Sequence, residues 1–545
     1  MGCASDKASS TNQSSNLKSE NDFKKDKSNT NNTNNQTKAN STAGLKIIIG
    51  PIIGSVTTNA ARILVEFCYD TPGGDEFTGD NTEVISLTAT LLSDNPSTKE
   101  QKSHTSTASV MRNVASVFKF SNLEPETKYK FSIDGNLKQI ESSFKTFAEK
   151  LTEKNFKVAV CGCDDVIFNK NLGENSLYYN LAERAKNGDL NLTIHNGDQV
   201  YIDHKEKKDK KEGNPDHINI YEECHNLIKG KDKSEWEAYR CKILSKMKDL
   251  YRRTFSGKVA ELMANCPNLM QYDDHEIHNN FGYNYIYSDE NDTHCFITMC
   301  ARRVYYEYQR QLREDVDYIS FKNVTCDYHA HVINNIGFFF LDHRGARSWY
   351  KSEEIDYFGK AQVNYLKDCL ESMFANCSII VILSQDPLVL WNEELSKTQE
   401  KTAEMYIRLY KEAFERFMNI IADHKESKGK SQELIILGGD IHIGGFTEIY
   451  RNGKPICRQI ISSGIGQNTK ESLIKFYNNL MAQEDTNIGA GFSFKHHDWT
   501  FNRNYATLEM KLSNNEPIIE SYLMISDVEI KPTKQKVILN TKFSL

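Results

Sequence analysis

The stretch Leu192-Thr193-Ile194-His195-Asn196-Gly197-Asp198-Gln199-Val200-Tyr201-Ile202-Asp203 passes from a short apolar run into a glycine, an acid and a tyrosine. Short apolar runs bounded by turn residues read as buried strands. Ligand sites in open α/β sheets gather just beyond the carboxyl ends of such strands. The same transition recurs three times. Residues 157–160 lead into Cys161-Gly162-Cys163-Asp164-Asp165, 269–272 into Asp273-Asp274-His275-Glu276, and 434–437 into Gly438-Gly439-Asp440-Ile441-His442. One such end means little, because Asp and Gly commonly begin loops. Four ends that each offer carboxylate, thiolate or imidazole point together to a metal site.

Working outward, 337–341 and 379–383 are further strand candidates, and 236–255, 299–313, 358–373 and 402–421 have helical character. Strand alternating with helix from residue 156 onward predicts an α/β core. Upstream the pattern changes to alternating segments at 61–67, 85–90, 110–120 and 129–133, separated by turn residues, which predicts a small β-sandwich. Within it, Leu123-Glu124-Pro125-Glu126-Thr127-Lys128-Tyr129 resembles the turn and tyrosine strand of fibronectin type III modules. Residues 1–44 are rich in Asn, Ser, Thr and Lys and too poor in apolar residues to offset the entropy of ordering, so a disordered tail is expected. The charged run 204–212 reads as a solvated loop, and 216–233 and 283–294 as loops at the rim of the site. The expected partition is tail 1–44, sandwich 45–150 and catalytic domain 151–545.

Composition excludes several classes. Among 545 residues, 67 Lys and Arg against 74 Asp and Glu leave a formal charge of −7, so no basic field is present for general nucleic-acid binding. The apolar runs fall far short of the roughly 20 residues that cross a bilayer, so no transmembrane helix is expected. The cysteines number 13 and follow no framework, which suits reduced thiols. The start, Met1-Gly2-Cys3-Ala4-Ser5-Asp6, has neither an apolar signal region nor a twin arginine, so export is not expected and a cytoplasmic location is. Gly2 and Cys3 suit myristoylation plus palmitoylation, although Asp6 stands where that motif has Ser or Thr. If acylated, the protein would sit on the cytoplasmic face of a membrane as a lipoprotein.

The ordered set of strand ends resembles the alkaline phosphatase D (PhoD-like) branch of the binuclear metallophosphatases. Supporting matches are Gly50-Pro51-Ile52-Ile53-Gly54, Leu341-Asp342-His343-Arg344-Gly345-Ala346-Arg347-Ser348 and Ile461-Ser462-Ser463-Gly464. The resemblance implies a two-sheet αββα sandwich core behind a fibronectin III-like domain. It further implies a phosphomonoesterase or phosphodiesterase that uses a hydroxide activated by two metals. Cys163, Tyr201 and His442 would hold one ion, with Asp198 bridging to a second held by Asp274 and Asp440. The softer donors suit a transition metal and the all-oxygen set a hard cation, so iron plus calcium is implied, with manganese or magnesium as alternatives. His275 would bind the phosphoryl oxygen or protonate the leaving alkoxide. Arg344 and Arg347 would grip a phosphoester substrate or pair with a nearby acid such as Asp342. Asp274 departs from the Asn of the broader superfamily. The competing reading is an inactive, membrane-tethered scaffold with a phosphatase fold. No Gly-x-Ser-x-Gly elbow or Gly-x-x-x-x-Gly-Lys loop supports a serine hydrolase or an NTPase.

Overall fold

The structure is a computed structural model. It describes residues 44–79, 84–94, 101–134, 137–165, 176–204, 219–282, 285–319, 326–348, 356–390, 411–467, 469, 471–482, 486–525 and 536–537. The chain divides into two units, Met1–Ser41 and Thr42–Leu545, and the described residues all belong to the second. Gly2, Cys3 and all but the last residue of the tail expected over 1–44 lie outside the described residues, as does most of the charged run 204–212.

Among the described residues, the strands of the amino-terminal part are β1 (Leu45–Val56), β2 (Ala61–Tyr69), β3 (Val84–Ser93), β4 (Ser103–Met111), β5 (Ser116–Phe120), β6 (Lys128–Ile133) and β7 (Ser142–Lys145). They form an antiparallel sheet β1-β2-β5 and a second, β4-β3-β6-β7. Phe118 and Phe120 of one sheet meet Phe131 of the other edge to face, with ring centroids 6.2 and 6.3 Å apart. Tyr129 is buried and its hydroxyl accepts from the Glu124 N–H at 2.8 Å, the tyrosine-corner device of β-sandwiches. The segment 110–120, expected as one strand, is split between β4 and β5. Asn113 turns the chain there at φ 58°, its Nδ2 donating to the carbonyls of Gly74 and Glu76.

The remaining strands are β8 (Phe156–Cys161), β9 (Leu192–Asn196), β10 (Asn268–Gln271), β11 (His329–Ile333), β12 (Ile336–Phe340), β13 (Ile379–Leu383), β14 (Glu433–Gly438), β15 (Gly444–Arg451), β16 (Lys454–Ser462), β17 (Thr486–Gly489), β18 (Phe492–Thr500), β19 (Asn504–Ser513), β20 (Glu516–Ile525) and β21 (Lys536–Val537). One sheet runs β10-β9-β8-β19-β20-β21 and another β11-β12-β13-β14-β16-β15-β18-β17. The neighbours β10, β9 and β8 are parallel, as are β12, β13, β14 and β16.

Strand periodicity sends successive side chains to opposite faces, which accounts for the layers. Val158 and Val160 of β8 join Phe338, Phe340, Val381, Leu383, Ile435 and Leu437 in one core between the two sheets. The alternate residues Phe339, Ile380, Ile382, Leu434 and Ile436 pack outward against the helices Lys360–Glu371 and Lys411–Lys428. Ala159, Cys161 and Met270 pack outward on the other side, against the helices Leu177–Lys186, Arg240–Thr254, Gly257–Asn265 and Thr293–Tyr308. The order is therefore helices, sheet, sheet, helices in a mixed α/β fold.

Other expectations change as well, among them the helix read over 299–313, which is Thr293–Tyr308 followed by a 3-10 turn Arg310–Leu312. The helix read over 236–255 is Lys233–Trp236, a 3-10 turn Glu237–Tyr239 and Arg240–Thr254. The segment 216–233 contains the helix Ile220–Ile228, started by Asn219, whose side chain accepts from the Glu222 N–H. The twelve described cysteines are all free. No helix among the described residues is long and apolar enough to cross a membrane.

Buried histidines give the fold an acid limit. Burial holds His195 and His496 down to about 4. Because folding lowers these values, their contribution is present above the ordinary histidine pKa of about 6.5 and is lost as pH falls toward 4. The urea midpoint should therefore drop between pH 7 and pH 4.5. A flat profile would show that these imidazoles are charged in the folded state.

Candidate metal centre

The carboxyl ends of β8, β9, β10 and β14 meet at one place. Four residues that emerge there hold left-handed backbone: Cys163 (φ 55°), Asp198 (57°), Asp440 (65°) and His442 (56°). Residues other than glycine adopt that region at a cost, and such residues cluster at functional sites. Gly197 makes the close approach workable. At φ 95° it lies so near Asp273 that a Cβ there would come within 2.5 Å of the Asp273 Cβ. The loops are tied together by the Cys163 N–H to the Gly197 carbonyl (3.1 Å), the Asp164 N–H to the Asp198 carbonyl (2.8 Å) and the Gly439 N–H to the Gln385 carbonyl (2.7 Å). Asn196 Nδ2 donates to the Ser384 carbonyl at 2.8 Å, joining the two sheets at their ends.

Three donor groups result, each with its ligand atoms within 4.8 Å of one another: Cys163, Asp198 and His442; Asp198, Asp274 and His275; and Asp198, Asp273, Asp274 and Asp440. Asp198 is common to all three. Its Oδ2 accepts from the Tyr201 hydroxyl at 3.0 Å and lies 3.5 Å from Cys163 Sγ, while Oδ1 accepts from the His275 N–H at 3.2 Å. The Tyr201 oxygen is 3.2 Å from His442 Nε2. Ser463 Oγ sits 3.0 Å from Cys163 Sγ and accepts from the His442 N–H at 2.9 Å. All six metal candidates read from the sequence thus come together.

The arginines sit differently from one another. Arg344 is 2 % exposed and its Nε donates to Asp273 Oδ1, while Nη2 lies 3.5 Å from Asp274 and 3.8 Å from Asp440. Asp342 Oδ1 accepts from the Arg344 backbone N–H at 3.0 Å. Arg347 is also buried and donates from Nη2 to the Phe281 carbonyl at 2.8 Å. His275 stacks on Tyr201 with centroids 4.2 Å apart, and its Nδ1 is 2.7 Å from Asp203 Oδ1. Asp203 Oδ2 accepts from the Asn279 N–H at 2.6 Å, which fixes that carboxylate.

So many buried acids distort one another. Burial, the neighbouring carboxylates Asp274 and Asp273 adding to it, pushes Asp198 well above the usual carboxylate range. Burial lifts Asp273 to about 8 even beside Arg344. Burial also works against ionising Asp274, but Arg344 and His275 more than offset it and hold its pKa down. The Cys163 thiol and the Tyr201 phenol are both pushed well up, first by burial and then by Asp198. For His275 burial opposes the charge, yet Asp203, Asp274 and Asp198 together raise its pKa well above the histidine norm. Asp273 Oδ2 and Asp274 Oδ1 are buried and accept no hydrogen bond from the described residues. Buried carboxylate oxygens without a hydrogen-bond donor, beside thiol, phenol and imidazole, fit bound cations, which would bring the raised acid, thiol and phenol values down.

Sequence reasoning left out Asp273, which shares its segment with Asp274; apolar periodicity does not say which of two adjacent acids points inward. It also passed over the end of β13, where Gln385 Oε1 accepts from the His343 N–H and Nε2 donates to the Tyr272 carbonyl. The polar triplet Ser384-Gln385-Asp386 after an apolar run was the available signal. A separate cavity of about 220 Å³ lies at the opposite, amino ends of β8 and β9, among Phe147, Leu151, Phe156, Leu190 and Asn191, and includes none of the donor side chains.

One solved structure, described as the structure of PhoD, is similar over 93 % of this chain and 94 % of that chain, at 15 % identity and a TM-score of 0.60, a likeness of fold. Purple acid phosphatase PPD1 from yellow lupin (Lupinus luteus) seeds matches over 87 % of this chain and 72 % of that one, at 10 % identity and a TM-score of 0.48. No curated protein matches the sequence. The profile of PhoD-like phosphatases matches residues 158–515, a span that includes every donor from Cys163 to His442 and most of the chain. The chain belongs to the PhoD-like phosphatase family.

Proposed function

We propose that the protein is a metal-dependent phosphoester hydrolase acting on monoesters, diesters or both. One observation carries the reading: buried strand ends bring Cys163, Asp198, Asp273, Asp274, Asp440 and His442 into donor groups spanning no more than 4.8 Å. Two cations at such a site supply Lewis acidity to the phosphoryl group and lower the pKa of a coordinated water from about 15.7 to about 7. Cys163, Tyr201 and His442 would hold the softer ion, iron in our reading, and Asp273, Asp274 and Asp440 the harder one, calcium in our reading, with manganese or magnesium as alternatives. Asp198 serves both.

The chain's own groups divide the remaining work. Asp203 engages His275 at Nδ1, which leaves Nε2 to offer a proton to a phosphoryl oxygen or to the departing alkoxide. Arg344, held among three carboxylates, offsets their charge and is the guanidinium we assign first to substrate, with Arg347 beside it as the second. The tyrosine corner at Tyr129 supports reading the two amino-terminal sheets as a fibronectin type III-like module.

The test is to purify the full chain, measure its metals by elemental analysis, and assay p-nitrophenyl phosphate beside bis-p-nitrophenyl phosphate. At least one ester should be cleaved, with loss on chelation and recovery on adding metal. Protein that stays inert after reconstitution with iron and calcium, manganese or magnesium would favour the inactive scaffold.

A further inference from the structure

We propose that Glu276 is the positioning residue that locks the bridging Asp198 and joins the two loops that carry the carboxylate donors; this deepens the metal-dependent reading above and rests on it. Glu276 is completely buried. Its Oε2 accepts from the Asp198 N–H (3.1 Å) and the Asp273 N–H (2.8 Å), and its Oε1 from the Gln199 N–H (2.7 Å) and from Gln309 Nε2 (3.4 Å).

The choice of amides matters. β9 and β10 are parallel neighbours whose ladder ends at the pair Gln271 and Asn196. Beyond it the strands offer no ladder partner to the N–H groups of 198, 199 and 273, and one carboxylate gathers all three. Two of these amides flank the Cα of Asp198, its own and that of the next residue. Pinning both fixes φ and ψ of a residue held at φ 57°, a conformation that persists only when its surroundings over-determine it. The Asp198 carboxylate, shared by all three donor groups, is aimed by that backbone. The third amide belongs to Asp273, so the same anchor sets the distance between the two acid-bearing loops. Glu276 itself is in none of the donor groups and acts through others.

The experiment uses the full chain and reads metal affinity and amide exchange as well as turnover. In chelator-stripped wild-type protein, hydrogen exchange should show the amides of Asp198, Gln199 and Asp273 protected, because a side chain and not an ion holds them. Exchange at the rate of an open loop overturns the proposal without any variant. Glu276→Gln keeps the shape but turns an NH2 toward N–H donors. It should unprotect these amides and weaken Mn2+ binding by about 10- to 100-fold, with kcat falling more than KM changes. Gln309→Leu removes the fourth contact, together with the bond from Gln309 Nε2 to the Tyr251 hydroxyl (3.2 Å), and should keep both affinity and protection. If Glu276→Gln merely lowers the melting temperature while Mn2+ affinity and the three amides stay as in wild type, or if Gln309→Leu loses as much, the residue is ordinary packing. Wild-type protein that binds no Mn2+ and cleaves no ester, yet protects the three amides, would instead count against the enzymatic reading alone.

Discussion

Asp198→Asn protein is expected to fold normally and to lose phosphoester turnover by at least about 1,000-fold, the scale on which removing a group that acts on the transition state is felt. The choice of Asn isolates the charge. Asn tolerates left-handed backbone, so the φ of 57° at this position adds no new strain. The two side chains have the same shape, but the amide presents one acceptor and one donor. In the wild type Oδ2 receives the Tyr201 hydroxyl and Oδ1 the His275 N–H, so the amide must keep its oxygen toward His275, and its NH2 then forces the Tyr201 hydroxyl to turn from donor to acceptor. The residue common to all three donor groups also loses its ability to serve two cations at once. Steady-state rates on both nitrophenyl esters, with circular dichroism and metal content on the same preparation, decide the matter. Full rate in folded Asp198→Asn protein would contradict a bridging role.

The second large effect concerns stability. Lys248 and Glu307 form an ion pair at 2.6 Å with both side chains fully buried. Lys248 Nζ also donates to the Asn113 carbonyl at 2.7 Å, and Glu307 Oε1 accepts from the Ala115 N–H at 2.9 Å. Burial pushes the Glu307 carboxyl up in pKa even with its partner present. Removing one member of a buried pair leaves an uncompensated charge, so Lys248→Met should cost about 3–5 kcal/mol of unfolding free energy. Adding Glu307→Leu should recover only part of the loss. The double change removes the stranded carboxylate, but the Asn113 carbonyl and the Ala115 N–H stay buried without their partners, at about 1–3 kcal/mol for each such group. Urea unfolding of the two proteins distinguishes these cases. A single change that costs under about 1 kcal/mol would show that water reaches the pair.

Much of this molecule is legible in the sequence where one physical signal dominates. Fully buried parallel strands appear as apolar runs, and β13 over Ile379–Leu383 coincides with its expected span. The metal candidates were visible because turn-forming acids and glycines follow those runs. The strands β15 to β20, all but β16 purely antiparallel, carried a weaker signal. Their faces mix buried and half-exposed residues, as in β20, so no apolar run marks them. The Lys248–Glu307 pair was hidden because it depends on two helices packing against the turn at Asn113, not on any local pattern. Glu276 was hidden for a similar reason: it stands in the quoted segment, but its work is done on amides, and amides have no letter in a sequence.

The position of β19 beside β8 carries a consequence for how the protein is made. Asn155 and Glu509, bonded side chain to side chain at the start of that pairing, are 354 residues apart. Every candidate donor among the described residues is already present once the chain has reached His442, but β8, which leads into Cys163, is then an edge strand with one bare ladder. Asn504, which accepts from the Ser463 N–H and donates back to its carbonyl, has not yet been synthesised. A ribosome-bound nascent chain therefore owns these candidate ligands before it owns the place that holds them. Closing so long a loop is slow, and until it closes the open edge of β8 is the part of the molecule that a chaperone has reason to cover.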